Sequence, residues 1–194
     1  MEERVILCGG NGAGKSTLGR RLAGELGWPF FDIETYYFPD AGADYPYGTV
    51  RTRAEVTGLL LADLRAHSRC ILAAVKGDYG PEVEGLLTCA VLLSAPKELR
   101  LERVRRRSYQ KFGDRMRPGG DLYAREEGFF RMVEGRPRGD VEAWLETADI
   151  PVLRVDAAED PERIAAAVVR FLKARPGGGD LILEREMGHG AEED

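Results

Sequence analysis

The stretch that decides the fold is CGGNGAGKST, residues 8–17, which directly follows the short apolar run Arg4-Val-Ile-Leu-Cys8. The pattern G-x-x-x-x-G-K-[ST] is satisfied by Gly9, Gly14, Lys15 and Ser16. The apolar run predicts a strand buried on both faces. Leucines spaced four apart then predict a helix, with Gly27 at its end. A strand, a glycine loop and a helix in this order form the context in which the pattern binds phosphate.

The residue types of this loop suit an anionic ligand. Glycines let the backbone wrap around phosphate oxygens, and free amides at a helix start favour negative charge. We expect Lys15 to reach the β- and γ-phosphates and Ser16 to place its hydroxyl on Mg²⁺. The alternative is a simple connecting turn with Lys15 in solvent. The predicted binding residues are Gly10, Asn11, Gly12, Ala13, Gly14, Lys15, Ser16 and Thr17.

Composition restricts the class of protein. The 194 residues are 43% hydrophobic and 31% charged, which is typical of a soluble globular chain with one well-buried core. The net charge of −5 argues against long nucleic acid as the main partner. We expect a cytoplasmic protein, because the sequence shows no leader or membrane-length apolar run. The three cysteines lie in or beside apolar runs and predict reduced, buried thiols.

Strand and helix patterns alternate along the chain. Predicted strands cover residues 4–8, 29–34, 70–75, 90–93 and 151–155, and the main predicted helices cover 52–67, 81–87, 96–112 and 141–147, with a last helix around 164–172. This order predicts an α/β three-layer sandwich with a five-stranded parallel sheet. We expect one domain over residues 1–175 and a flexible tail over 176–194, where three glycines follow Pro176.

Carboxylates follow two of the predicted strands. Asp32 and Glu34 stand at the end of the second strand, and Asp78 follows the third within Lys76-Gly77-Asp78. Ligands of parallel α/β sheets bind at this edge, so Asp32 is a candidate for orienting an acceptor hydroxyl or for the Mg²⁺ shell. The alternatives are solvated carboxylates at the strand end and, for Asp78, a turn role. Lys76 is then a candidate for binding an anionic acceptor group.

Positive charge is concentrated in residues 97–117. Nine basic and three acidic residues give this segment a net charge of +6, which leaves −11 for the rest of the chain. Arg103, Arg106 and Arg107 share one side of the predicted helix, and Arg115 and Arg117 follow in a glycine-rich loop over 113–122. A solvated helix face is the simple alternative.

The narrower pattern G-x-x-G-x-G-K-S-T, which includes Gly12, resembles the loop of small P-loop kinases such as nucleoside, shikimate and gluconate kinases. The chain is also similar to uncharacterised bacterial ATP-binding proteins of the adenylate-kinase-like type, through the stretches FDIETYYFP, KGDYG and QKFGDRM. It lacks the Asp-Gly-Phe-Pro-Arg segment of adenylate kinases and the triple glycine beside the acceptor of shikimate kinases.

The resemblance implies a P-loop NTPase fold with a helical lid over about residues 103–135. It implies that lid arginines, Arg107 and Arg115 first, close on the triphosphate, and that Asp32 with Glu34 corresponds to an acidic pair. It also places a carboxylate of the Mg²⁺ shell near Asp78, and adenine near residues 156–159 with a lid arginine stacked on it.

The segment between the second strand and the next helix is rich in aromatic residues, which the resemblance places over the acceptor. Its aromatic residues are Tyr36, Tyr37, Phe38, Tyr45 and Tyr47, with Arg51 and Arg53 behind them. The rings could stack on a base or enclose a sugar-like ring, and an arginine could bind a carboxylate or phosphate. A packed loop or a dimer contact is an equal alternative.

The leading hypothesis is an enzyme that uses ATP and Mg²⁺ to phosphorylate a small nucleoside, nucleotide, sugar or cyclitol-acid acceptor. Its predicted catalytic residues are Lys15, Asp32, Arg107 and Arg115, and its predicted metal ligands are Ser16, Asp32 and Asp78. The rival hypothesis is a regulatory nucleotide-binding module that acts through a protein partner. The sequence contains no Asn-Lys-x-Asp guanine motif and no Leu-Ser-Gly-Gly-Gln signature. We expect a monomer or homodimer without nucleic-acid or membrane partners.

Overall fold

The computed structural model describes residues 2–40, 44–137 and 139–176. Within these residues, five parallel strands form one sheet in the order β2-β3-β1-β4-β5. The strands are β1 Glu3–Cys8, β2 Phe30–Asp32, β3 Arg69–Ala73, β4 Cys89–Ser94 and β5 Val152–Asp156. The predicted fold class is confirmed, because helices cover both faces of this sheet.

The central strand shows why the sheet is buried on both sides. Every residue of β1 is buried, and its side chains alternate between the two cores. Val5 and Leu7 pack with the helices Lys15–Leu26 and Pro161–Lys173, whereas Ile6 and Cys8 pack with the helices Arg53–Ala66 and Asp140–Thr147. A strand of a parallel sheet is covered by helices on both faces, so its sequence is continuously apolar.

The helices connect the strands and cover the sheet. They are α1 Lys15–Leu26, α2 Ile33–Tyr37, α3 Arg53–Ala66, α4 Pro81–Glu84, α5 Lys97–Phe112, α6 Tyr123–Glu134, α7 Asp140–Thr147 and α8 Pro161–Lys173. Gly27 ends α1 in the left-handed conformation, as its sequence position predicts. Among the described residues, no helix has the length and apolar character needed to cross a membrane.

The second strand is shorter than predicted. The prediction of a strand through Glu34 is wrong, because β2 ends at Asp32 and Glu34 lies in the first turn of α2. The Asp32 side chain accepts a hydrogen bond from the Glu34 backbone amide and so begins that helix. The aspartate remains at the carboxyl edge of the sheet, and the glutamate is one helical residue further on.

Three other predictions differ in detail. The helix predicted over 81–87 ends at Glu84. The loop predicted over 113–122 contains a short 3-10 helix, Gly113–Met116, which continues directly from α5. The third strand ends at Ala73, two residues before its predicted end. Of the predicted tail, residues 177–194 lie outside the described residues. The domain bounds and the extent of the lid remain predictions.

Candidate functional site

The loop between β1 and α1 lies at the carboxyl edge of the sheet. Close packing requires glycine at two positions of this loop. A Cβ on Gly9 would overlap the Leu93 carbonyl oxygen, and a Cβ on Gly12 would overlap the Arg100 carbonyl oxygen. Both have positive φ, of 140° and 81°. The loop is therefore held between β4 and α5 in a shape that only glycine allows at these positions.

Lys15 begins α1 and folds back over this loop. Its Nζ donates hydrogen bonds to the carbonyl oxygens of Gly9 at 2.8 Å and Gly10 at 3.0 Å. Among the described residues, no carboxylate lies within ion-pair distance of this amine. Desolvation lowers the pKa of Lys15 to about 8, although the charges of Glu34 and Asp32 act in the opposite direction. An anionic ligand would therefore supply a counter-ion that the described residues do not place within ion-pair distance of the amine.

A cavity of about 630 Å³ opens in front of the loop. Its floor is formed by residues 11–18, and its far wall by residues 157–161, which lead from β5 into α8. Arg103 donates to the Ala157 carbonyl oxygen at 3.0 Å and so joins the basic helix to that wall. Of the residues 156–159 that the resemblance places around adenine, residues 157–159 therefore line the same cavity as the glycine loop, and Asp156 does not. We call this the first cavity.

Asp32 and Glu34 both line the first cavity but differ in environment. The Asp32 side chain is only 11% exposed, and one of its oxygens lies 3.9 Å from Arg20. Glu34 is more exposed, and its Oε1 lies 3.5 Å from Nη2 of Arg107. The predicted acidic pair is thus brought to the phosphate loop, and an arginine from α5 faces it.

The basic helix presents several groups to the first cavity. Arg103, Arg106 and Arg107 line it together with Gln110, one turn nearer the end of α5. Cations on this wall would face the charge of a bound polyphosphate. Gln110 was not singled out by the sequence, since a glutamine between basic residues gives no chemical signal.

Arg115 lies elsewhere. It lines neither of the two cavities described here, and it binds Asp121 at 2.6 Å and Asp44 at 2.8 Å. The hydrogen bonds that Arg115 donates to these two carboxylates raise the pKa of its guanidinium. The structure therefore does not bring Arg115 together with Lys15 and Asp32, and its predicted catalytic role remains a prediction.

A second cavity, of about 920 Å³, lies on the other side of the phosphate loop. Tyr37 and Phe38 line it, whereas Tyr45 and Tyr47 do not. The two cavities share a wall to which Asn11 and Glu34 contribute the polar groups, alongside Ile33, Val75 and Leu93. Asn11 Oδ1 is buried without a hydrogen-bond partner in the described structure.

Asp78 faces the second cavity and not the first. Its carboxylate lies 3.2 Å from the Lys76 amine and 3.5 Å from the Arg53 guanidinium. The Arg53 ion is also 5.3 Å from the centre of the Tyr79 ring. This geometry joins the turn after β3 to the start of α3, and it leaves the predicted metal role of Asp78 a prediction.

Arg100 is a loop contact that sequence reasoning missed. Its Nη1 donates to the Asn11 carbonyl oxygen at 3.2 Å and its Nε to the Ala95 carbonyl oxygen at 3.3 Å. A Cβ on Gly10 would overlap the same guanidinium. In the sequence Arg100 is one of the nine basic residues of segment 97–117. It contacts the loop because it lies on the face of α5 that packs there, and the sequence does not show which face that is.

The fold and this site define the class: a P-loop protein with the architecture of the small P-loop kinases. A family model described as an AAA domain, AAA_18, matches residues 5–127, and the chain belongs to that family. The uncharacterized protein YqaC of Bacillus subtilis (strain 168) is 28% identical over 164 residues, which are 80% of this chain and 89% of that protein. A shikimate kinase of Enterococcus faecalis is 31% identical over 110 residues, 53% of this chain and 65% of that enzyme.

Solved structures share the fold at low sequence identity. A shikimate kinase from Acinetobacter baumannii in complex with shikimate superposes with a TM-score of 0.57 at 19% identity, over 90% of this chain and 94% of the other. A gluconokinase from Sinorhizobium meliloti gives 0.51 at 18% identity, over 84% and 87% of the two chains. A sugar kinase from Janibacter gives 0.52 at 19% identity, over 92% and 98%.

Proposed function

We propose that this protein transfers a phosphoryl group from ATP to a small-molecule acceptor of the nucleoside, nucleotide, sugar or cyclitol-acid type. The observation that carries the proposal is the wall that the two cavities share, with Glu34 exposed to both. Transfer requires donor and acceptor to meet at one point, and two adjoining cavities provide it. The similarity to shikimate, gluconate and sugar kinases supports this class of reaction.

The first cavity is the proposed ATP site. Lys15 and the amides of the loop would bind the terminal phosphates, because the amine lacks a counter-ion in the described structure. The backbone of residues 157–159 and the Arg103 side chain would enclose the base. The floor of this cavity is glycine-rich, and a Cβ added at Gly14 would have no neighbouring atom within 4 Å, so the loop would leave room for phosphate oxygens there.

Ser16 and Asp32 are the residues that would hold Mg²⁺, since both line the first cavity beside Lys15. Bound Mg²⁺ offsets the negative charge of phosphate oxygens. Within the described ranges, no group of three or more His, Cys, Asp or Glu residues forms a metal site. A Mg²⁺ ion that takes most of its ligands from phosphates and water needs few protein ligands. The third predicted ligand, Asp78, would instead have to turn away from Lys76 and Arg53.

The second cavity is the proposed acceptor site. Tyr37 and Phe38 would contact the carbon skeleton of the acceptor, and Lys76 and Arg53 its polar groups. From the sequence, Asp32 was the first candidate to orient the acceptor hydroxyl, with Glu34 in support. We propose the opposite assignment, because Glu34 borders both cavities and Asp32 only the first. The Glu34 carboxylate would accept the hydroxyl proton as the phosphoryl group is transferred.

Arg107 would neutralise charge near the transferred group. It lies 3.5 Å from Glu34, at the point where the two cavities meet. A fixed cation there stabilises charge on the transferring phosphoryl oxygens. Arg115 could join it only if its ion pairs with Asp44 and Asp121 broke.

The test is a screen in which the protein, Mg²⁺ and γ-labelled ATP are mixed with pools of candidate acceptors. We expect label to move to one compound class, and we expect Lys15→Ala to abolish ATP binding and transfer. Lys173→Ala, at an exposed position of α8, is the matched control and should behave like the unchanged protein. Unaltered affinity and rate in Lys15→Ala would refute the site. ATP binding without transfer or hydrolysis, together with a co-purifying protein, would favour the regulatory module.

A further inference from the structure

Residues 44–47, which lie between α2 and α3, contact the helices of the predicted lid. Asp44, Tyr45 and Tyr47 line neither cavity. Their side chains contact the end of α5, the 3-10 helix and α6. We call residues 44–47 the strap.

Tyr45 is the centre of these contacts. Its hydroxyl donates a hydrogen bond of 3.0 Å to Glu126 Oε1 on α6. Its ring lies 5.5 Å from the Phe112 ring, and the Arg125 guanidinium lies 4.5 Å from the Tyr45 ring centre. One side chain therefore touches the last residue of α5 and the first turn of α6 at once.

Two further contacts flank Tyr45. Asp44 Oδ1 accepts a hydrogen bond of 2.8 Å from Arg115 in the 3-10 helix. The Lys111 amine lies 4.6 Å from the centre of the Tyr47 ring and 3.4 Å from its hydroxyl oxygen. Tyr47 also packs against Phe38, with ring centres 5.0 Å apart, and Phe38 lines the second cavity.

Glu126 makes the Tyr45 contact important. This residue is only 2% exposed, and its Oε2 has no hydrogen-bond partner in the described structure. A buried carboxylate with a single donor is costly to leave unpaired. Loss of the Tyr45 hydroxyl would therefore drive α6 to move until Glu126 reaches water, and α6 packs on α5 through the Arg105 contact with Phe130.

The strap holds the same part of α5 that faces ATP in the proposed function. Lys111 and Phe112 lie one helical turn after Arg107 and Ser108, so their rotation also rotates the turn that precedes them. Arg106, Arg107 and Gln110 line the first cavity from that turn. A shift of about 1 Å in such a group can reduce catalysis by ~10²-fold.

We propose that Tyr45 and Glu126 are positioning residues, which fix the last two turns of α5 so that Arg106, Arg107 and Gln110 face the bound nucleotide. The inference depends on the proposed function only for the identity of that ligand. It gives the aromatic segment a role in the lid, whereas the resemblance places the whole segment over the acceptor.

The test compares Tyr45→Phe, which keeps the ring and removes the hydroxyl, with Glu126→Gln, which keeps an oxygen acceptor for that hydroxyl. Tyr123→Phe is the matched control, because Tyr123 is an exposed tyrosine on the same lid. Hydrogen exchange is measured at the amides of residues 105–116, without ligand and with Mg²⁺ and a non-hydrolysable ATP analogue.

Without ligand, we expect exchange over residues 105–116 to be about tenfold faster in Tyr45→Phe and near the original rate in Glu126→Gln and Tyr123→Phe. With the analogue, we expect Tyr45→Phe to keep its affinity within about twofold, since Lys15 and the loop are intact, but to lose protection at residues 106–110. A general loss of fold would also accelerate exchange in α3 and α8, so these helices serve as the internal standard.

The result that would overturn the proposal is an exchange rate in Tyr45→Phe equal to that of the original protein, in the ligand-free state and with the analogue. An exchange rate in Glu126→Gln as fast as that in Tyr45→Phe would also overturn it. The glutamine keeps an acceptor for the Tyr45 hydroxyl, so the proposal expects α5 to stay protected in that variant. If the analogue binds neither the unchanged protein nor Tyr45→Phe, the proposed function fails. The exchange rates measured without ligand still decide the role of the strap.

Discussion

The Lys15 amine binds two carbonyl oxygens of its own loop, and its removal from water lowers its pKa to about 8. This folded-state pKa is below the ordinary value of 10.5, so the desolvation penalty is fully present below pH 8. The penalty is relieved as the pH rises from about 8 towards 10.5, where the amine is neutral in the folded protein. A bound phosphate favours the charged amine and opposes this shift.

We therefore expect binding of Mg²⁺-ATP to take up a fraction of a proton at pH 8.5. At pH 6.5 the amine is already charged, and the uptake by Lys15 should disappear. Calorimetric titrations in buffers of different ionisation enthalpy measure this quantity directly. Proton release at pH 8.5, or the same uptake at both pH values, would contradict the assigned environment of Lys15.

Asp32 and Glu34 should respond differently to loss of charge. Asp32→Asn keeps a side chain that begins a helix well, so α2 should remain folded while the Mg²⁺ concentration needed for half-maximal activity rises. Glu34→Gln should leave nucleotide affinity within about twofold and lower the rate of transfer by ~10²-fold, the contribution typical of a general base. Activity measured against Mg²⁺, ATP and acceptor separates the two effects. The opposite pattern would return the acceptor role to Asp32.

Among the elements, α1 contains two glycines with opposite surroundings. Gly19 is buried against the Phe30 ring, which an added Cβ would overlap, whereas a Cβ added at Gly24 would have no neighbouring atom within 4 Å. The first glycine allows the helix to approach β2 closely. The second only adds flexibility to the unfolded chain and weakens the helix.

We expect Gly24→Ala to stabilise the protein by about 0.5–1 kcal/mol, because alanine is the better helix former. Gly19→Ala should destabilise it by about 1–3 kcal/mol, since the Phe30 ring must move. Urea unfolding of the two variants, which carry the same substitution on one helix, measures the difference. Equal effects would mean that α1 and β2 do not pack as described.

The elements also show how far sequence patterns reach. The four-residue spacing of leucines and Gly27 predicted α1 correctly, because Leu18 and Leu22 are buried on one helix face and Leu26 is partly buried there. The second strand was predicted too long, because the apolar pattern of Phe-Phe-Asp-Ile-Glu is compatible with two structures. One is a continuous strand, and the other is a strand that ends at Asp32 and is followed by a helix. The hydrogen bond from the Glu34 amide to Asp32 decides between them, and that bond is a matter of three-dimensional geometry.

In the whole molecule, the turn that follows α8 is joined to the first strand through Arg175. Arg175 donates to the Thr88 carbonyl oxygen at 2.8 Å, and its Nη1 lies 3.2 Å from Glu3 Oε2 in an ionic contact without hydrogen-bond alignment. The Arg175 side chain is 16% exposed and the Glu3 side chain only 5% exposed. Removal of the arginine would leave a buried carboxylate without its cation.

We expect Arg175→Ala to lower the free energy of unfolding by about 3 kcal/mol, the scale found when one partner of a buried pair is removed. Arg170→Ala, at an exposed position in the last turn of α8, should change it by less than about 0.5 kcal/mol. Thermal and urea unfolding measure both variants. A small effect of Arg175→Ala would indicate that Glu3 reaches solvent in solution.

At the scale of the whole molecule, the sheet and the phosphate loop could be predicted from the sequence. Each depends on segments that follow one another along the chain: a strand, a glycine loop and a helix. The site depends in addition on contacts between distant residues. The sequence placed Arg107 near the loop but also suggested Arg115, because both belong to one basic segment. The structure pairs Arg115 with Asp44, 71 residues away. Likewise, no pattern indicated that Tyr45 would meet Glu126, 81 residues along the chain.

Arg100 has a consequence for engineering. The basic helix and the phosphate loop share one contact, in which the Arg100 side chain binds the loop and its carbonyl oxygen excludes any side chain at Gly12. At Gly10 the excluding group is the Arg100 guanidinium itself, so positions 10 and 100 are coupled with respect to mutation. A programme that neutralised the basic surface to improve crystallisation or expression would therefore remove, at Arg100, a contact that holds the glycine loop.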